Sequence, residues 1–362
     1  MTRRSTPRSV AAVLATAALL VGCSSDAEDA DAASPNPVAT SVAAETPTPA
    51  EEDTTPTGSA GCDAASAAPG RSVESVASGG TDRSYVRYVP TTDEDGPRPL
   101  VVDLTAYSPA ALEERISGFT LPGADGTVKA DEVGAVVVTP EPVGGAGELL
   151  TWNLTDQPGW ADDDLFLADL LDQVAAETCL APGHTLVMGF AIGGVMASRL
   201  ACSLGEDVAL LATVAGLDDP PGCDPARPVP VLALQGTADR FLPADGGVGT
   251  GAAGLPLSPK TTAGLVGVVT RRGPATETAA AWATRNGCGA EPADEEIAEG
   301  ATRRAWTGCD DDAGVELVTI DGGEHTWPGS TTMDDLTGLL GPVSDAVVAN
   351  DLIWDRFQAE LG

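Results

Sequence analysis

The stretch VMGFAIGG, residues 187–194, has the layout of a nucleophile elbow. Such an elbow is a sharp strand-to-helix turn of pattern G-x-S-x-G that lifts a reactive side chain out of a sheet. Gly189 and Gly193 occupy the two glycine positions. Ala191 stands between them, where a serine would be, and its methyl group has no oxygen with which to attack a carbonyl. An acid and a base follow in the order such a triad takes. Asp239 closes the run LQGTAD, and His325 lies in DGGEHTWPG. A histidine oriented by a carboxylate takes the proton of a nucleophile during acyl transfer. The alternative for His325 is a loop histidine bonded to a nearby carbonyl; its context favours catalytic ancestry. The chain has 2 histidines, and the other, His184, begins a strand at the end remote from the elbow. It is taken as structural.

These residues need strands that end beside one another. Apolar runs at 98–104, 134–140, 184–189, 210–214, 229–234 and 315–320 predict short, mostly buried strands. Residues 85–89 alternate and predict an edge strand. Helices are expected over 162–179, 192–204, 276–286 and 345–361. In the first, Asp162, Asp163 and Asp164 supply a cap and negative charge at the N-terminal end, and Leu167, Leu170, Leu171 and Val174 form the apolar face. Strands alternating with helices imply an α/β fold with a doubly wound, mostly parallel sheet. Asp239 and His325 each follow a strand, at the edge of such a sheet where ligands bind. The Gly-rich section 246–273 breaks the rhythm and is expected to be a surface loop near that edge.

With these pieces in place the chain resembles the secreted polyhydroxybutyrate depolymerase and feruloyl esterase group of α/β-hydrolases. The matching segments run in order from about Arg83 to Gly329: RSYVRYVP from Arg83, RPLVV from Arg98, DDLFL from Asp163, the glycines from Gly189 to Gly194, VPVLALQGTAD from Val229, WATRNGC from Trp282, WTGC from Trp306 and HTWPG from His325. The last four together are the specific ones. The resemblance implies an α/β-hydrolase fold and a serine carboxylesterase acting on polyester or feruloyl esters, with Asp239 as triad acid and His325 as base. The chain departs from that pattern twice. Ala191 replaces the nucleophile, and Thr105-Ala106 replaces a His-Gly pair after the third core strand, in the loop that normally supplies one oxyanion-hole amide. Backbone donors do not need particular side chains, so Ile192 and Ala106 remain oxyanion candidates. Thr105 is a weak substitute nucleophile, because the elbow and not this loop aims an atom at the histidine.

The N-terminus is of another character. MTRRSTPRS is basic, residues 10–21 are apolar but short for a bilayer span, and Cys23 ends the run in LVGC. This resembles the lipobox of bacterial lipoproteins and implies lipid on Cys23, membrane attachment and an extracellular position. Residues 1–22 are then a signal peptide. Residues 23–61, rich in Ala, Pro, Thr, Ser, Asp and Glu, are expected to be a disordered tether. Residues 62–362 suit one hydrolase-like domain. Acidic residues number 54 against 19 basic ones, for a net charge of -35, and only Lys129 and Lys260 are lysines. Nucleic-acid binding is excluded on that balance. The cysteines beyond Cys23 are Cys62, Cys179, Cys202, Cys223, Cys288 and Cys309. An even set in an exported chain predicts disulfides, with fifteen pairings possible. Neighbourhood in the chain suggests Cys202–Cys223 and Cys288–Cys309, leaving Cys62–Cys179. No C-x-x-C pair is present, so no metal site is expected, and no cofactor.

The sequence thus leads to a monomeric, exported lipoprotein with an esterase-like domain that is catalytically weak or inactive and is kept for binding an ester or polyester, or for a structural role. An active ester hydrolase using water or another nucleophile is the alternative. A third reading is a resemblance of fold alone, in which the glycines only let helix and sheet pack closely. The ordered motifs around Asp239 and His325 argue against it.

Overall fold

A computed structural model describes residues 58–362, except 65–66, 93–95, 105, 108, 145–149, 256 and 290. Cys23 and most of the expected tether lie outside the described residues, as does Thr105. Among the described residues ten strands form one sheet: β1 (Gly70–Ser78), β2 (Thr81–Val89), β3 (Arg98–Leu104), β4 (Val136–Pro140), β5 (Leu180–Phe190), β6 (Val208–Val214), β7 (Val231–Gly236), β8 (Ala293–Ala298), β9 (Ala301–Trp306) and β10 (Val315–Ile320). Their order is β1-β2-β4-β3-β5-β6-β7-β10-β9-β8. Pairing is parallel from β4 across to β10 and antiparallel at both flanks. β4, β6 and β7 are buried at every position. A strand with no exposed face is covered on both sides, which is why these segments are continuous Val, Leu and Ala runs with no polar alternation.

The helices are α1 (Ala110–Ser117), α2 (Lys129–Glu132), α3 (Asp163–Glu177), α4 (Ile192–Leu204), α5 (Pro259–Val269), α6 (Ala275–Arg285), α7 (Thr337–Leu340) and α8 (Ala349–Leu361). α3 packs near β1, α4 against β5 and β6, α6 against β10, and α8 against β6 and β7. This is the doubly wound α/β-hydrolase arrangement expected from the sequence.

Several elements differ from the sequence reading. β2, expected at an edge, lies inside the sheet because the unrecognised β1 pairs along its whole length. The sheet also carries an unexpected hairpin, β8–β9, whose outer strand is mostly polar and exposed and so has no apolar pattern to announce it. Section 246–273 is not a plain loop: it contains α5, capped by the Ser258 side chain accepting from Thr261 N–H. α8 begins four residues later than expected, at Ala349. Residues 58–61, assigned above to the tether, are already fixed: Ser59 N–H donates to Leu180 O at 2.8 Å, and its hydroxyl to Thr178 O at 2.7 Å. On α3 the Asp162 side chain caps Leu165 N–H, but Leu171 is only half-buried and Phe166 joins the core in its place. Asp163, expected as exposed dipole charge, is buried. Its carboxylate pairs with Arg83 Nη2 at 2.8 Å and accepts Asn153 N–H at 2.6 Å, and the Arg83 guanidinium lies 3.9 Å above the Phe166 ring. Three disulfides join Cys62 to Cys179, Cys202 to Cys223 and Cys288 to Cys309.

Candidate active site

Ala191 sits at the joint between β5 and α4 with φ 52° and ψ −119°. For a residue with a Cβ such a conformation costs on the order of 1–3 kcal/mol and persists only where neighbours enforce it. Here Ala191 N–H donates to Val214 O at 3.0 Å, and Ala191 O accepts from Val195 N–H at 3.2 Å. Glycines make the tight turn possible. A Cβ on Gly189 would lie 2.6 Å from the Gly193 backbone, and one on Gly216 would lie 2.2 Å from Ala191 O. The elbow is therefore fully built, with an alanine at its apex.

Asp239 and His325 are brought together from the ends of β7 and β10, which are parallel neighbours in the sheet. His325 Nδ1 lies 2.7 Å from Asp239 Oδ2. The other oxygen, Asp239 Oδ1, accepts Phe241 N–H at 2.8 Å and Leu242 N–H at 2.9 Å. Both residues are 4% exposed. The imidazole is gripped by two aromatic rings, Phe190 at 4.6 Å and Phe241 at 4.8 Å between centroids. Acid, base orientation and ring position are thus fixed from three sides. The loop after His325 is anchored by Trp327, whose indole N–H donates to Asn350 Oδ1 on α8 at 3.0 Å.

Sequence reasoning missed Arg272. This arginine is 4% exposed and donates to Gln235 Oε1 at 2.9 Å, Pro243 O at 3.0 Å and Leu217 O at 3.3 Å. It ties the ends of β6 and β7 to the segment after Asp239. Burial pulls its pKa down, opposed by the charges of Asp239 and Asp218. Its one signal in the sequence is an arginine within a Gly-rich section of a chain poor in basic residues.

A second unforeseen group lies behind the oxyanion-loop position. Asp103, at the end of β3, and Glu113, on α1, are both fully buried. Ser117 Oγ donates to Asp103 Oδ2 at 2.7 Å. The side chains of Asp103 and Glu113 also interact with one another, and burial favours the protonated form of each. Burial pushes Asp103 up to about 7 and lifts Glu113 well above the carboxylate range. The Ala106 backbone favours the ionised form of Glu113. Ile192 N–H belongs to the first turn of α4, where amides have no intrahelical acceptor.

Ala191, Ile192, Ala106 and His325 all line one cavity of about 350 Å³. His184 lies in the first half of β5, away from the elbow at the other end of that strand. Among the described residues no group of His, Cys, Asp and Glu could hold a metal.

No family model matches the chain. Feruloyl esterase B of Piromyces equi is 28% identical over 179 residues, covering 48% of this chain and 31% of that protein. The putative esterase NocK of Nocardia uniformis subsp. tsuyamanensis is 34% identical over 249 residues, covering 65% of this chain and 67% of that protein. The chain belongs to the esterase-like α/β-hydrolase family. A solved S-formylglutathione hydrolase from Agrobacterium tumefaciens is 14% identical, with a TM-score of 0.48 over 82% of this chain and 98% of that one. The chain spans only about a third of the length of the feruloyl esterase it matches. Within this esterase-like domain Asp239 and His325 are paired beside the elbow, and an alanine stands at the elbow's apex.

Proposed function

We propose that this protein is an exported esterase-fold lipoprotein that binds an ester in its hydrolase cavity but turns it over weakly or not at all. One observation carries the reading: Ala191 occupies a fully formed elbow beside the Asp239–His325 pair. Without Oγ there is no acyl-enzyme, and one difficult step is no longer divided into two easier ones. What remains is a site that recognises a carbonyl. Ile192 N–H can donate to its oxygen, and His325 faces the group beside it. The three disulfides support an oxidising compartment, and the run ending at Cys23 supports a lipid anchor.

The intact Asp239–His325 pair favours one other reading, in which His325 activates a water. Enzymes stripped of a triad member keep ~10³–10⁴ over the uncatalysed rate, so this activity would be slow. Slow ester turnover by the natural protein that His325→Ala abolishes would mark the water reading, and a serine-reactive fluorophosphonate probe tests for a covalent nucleophile. The natural protein should stay unlabelled and Ala191→Ser should label, with His325→Ala in that background suppressing it. Labelling of the natural protein would reveal another nucleophile and refute the proposal.

A further inference from the structure

The cavity beside Ala191 is lined mostly by apolar side chains. Phe190 and Phe241 flank His325 there and Tyr107 also borders it, while the rest of the wall is mostly aliphatic, with Leu112 and Ile116 of α1 and Leu265 and Val269 of α5. Two hydroxyl-bearing residues also border it: Thr262, whose Oγ1 donates to Ser258 O at 3.0 Å, and Tyr107. His325 is different: Nδ1 is taken by Asp239, while the ring borders the cavity and makes no other hydrogen bond to the described residues. A second observation concerns the rim. Val248, Val266 and Leu339 are 43%, 43% and 46% exposed, and all three border this cavity. The apolar lining therefore continues out to the surface.

We propose that this cavity takes the alkyl chain of a fatty acyl ester, with its single carbonyl at Ile192 N–H and His325, in preference to a hydroxycinnamoyl or oligomeric hydroxyacid ester. The inference rests on the proposal that the site binds esters, and it names the class. Burying a polar group without a partner is costly, whereas burying methylenes is favourable. A feruloyl group brings a phenol and a methoxyl into walls that are mostly apolar. A hydroxybutyrate oligomer brings a further ester with every unit. An alkyl chain brings no polar atom at all. A volume of about 350 Å³ holds on the order of ten methylene-sized groups, if each takes roughly the share of a water molecule in the liquid. The polar groups beside Ala191, Ile192 N–H and His325, match a one-headed ligand.

Calorimetric titration of the natural protein with methyl esters tests this. Affinity should rise about fourfold per methylene from methyl butanoate to methyl octanoate. Methyl octanoate should bind more tightly than methyl ferulate. Val266→Glu, at a rim position 43% exposed, should weaken methyl octanoate binding at least tenfold while leaving the urea unfolding midpoint unchanged. A flat dependence on chain length, or tighter binding of methyl ferulate, overturns the assignment. Hydrolysis of p-nitrophenyl acetate by Ala191→Ser reports separately on the esterase reading, because that substrate has almost no chain. Hydrolysis with a flat binding profile removes only the aliphatic assignment; neither hydrolysis nor binding removes both proposals.

Discussion

At residue scale the site keeps costly features. Ala191 holds a strained conformation at the apex of the elbow, with only a methyl group to present there. Behind it, Asp103 and Glu113 lie together in a fully buried place, where burial favours holding a proton. The unfolded chain releases that proton at the ordinary carboxyl pKa, about 4. Folded-state values raised above this mean that the folded protein holds more protons through the window from about 4 up to the Asp103 value of about 7. Stability is then fully present below that window and falls as pH rises through it, by up to ~1.4 kcal/mol per pH unit for each proton retained. Asp103→Asn, which cannot titrate, should flatten this slope in urea unfolding curves. An unchanged slope would show that Asp103 does not hold a proton through that window. Asp239 and His325 were legible in the sequence because each lies just after an apolar run, among residues of a specific motif. Asp103, Glu113 and Arg272 were not, because isolated charged residues in a sequence look solvated; only the fold shows what surrounds them.

At the scale of elements, the central strands could be read because complete burial leaves continuous apolar runs. α4 matched to the residue, since the elbow glycines mark its start. The flanks escaped detection. β1 alternates between half-buried and exposed positions, β8 is mostly exposed, and α5 lies hidden among glycines. The Arg83–Asp163 pair joins two segments 80 residues apart, so no local pattern could show it. It fastens β2 to the start of α3, with both side chains nearly inaccessible. Removing one partner of a buried pair strands the other charge and costs about 3–5 kcal/mol. Arg83→Met should lose that much in urea unfolding. Arg83→Met with Asp163→Leu should recover most of it, because no charge is then left stranded; a double variant as weak as the single would mean that packing, not charge, holds this corner.

At the scale of the whole molecule, a net charge of -35 and three disulfides suit a surface that faces the cell exterior. Mass spectrometry of the mature protein should find Cys23 at its N-terminus with added acyl mass; a mature chain starting elsewhere, or lacking lipid, would end the anchoring proposal. The central claim, that one missing hydroxyl separates this protein from a working esterase, is tested most directly by turnover of p-nitrophenyl butanoate. Loss of a triad serine costs about 10⁶ in turnover in a well-studied protease, and loss of one oxyanion donor ~10²–10³. Allowing for one lost oxyanion donor in the loop that carries Ala106, Ala191→Ser should therefore raise kcat by roughly 10³-fold over the natural protein, and His325→Ala in that background should abolish the gain. A natural protein that already turns over at ordinary enzyme rates, or an Ala191→Ser variant that folds normally and gains nothing, would contradict it.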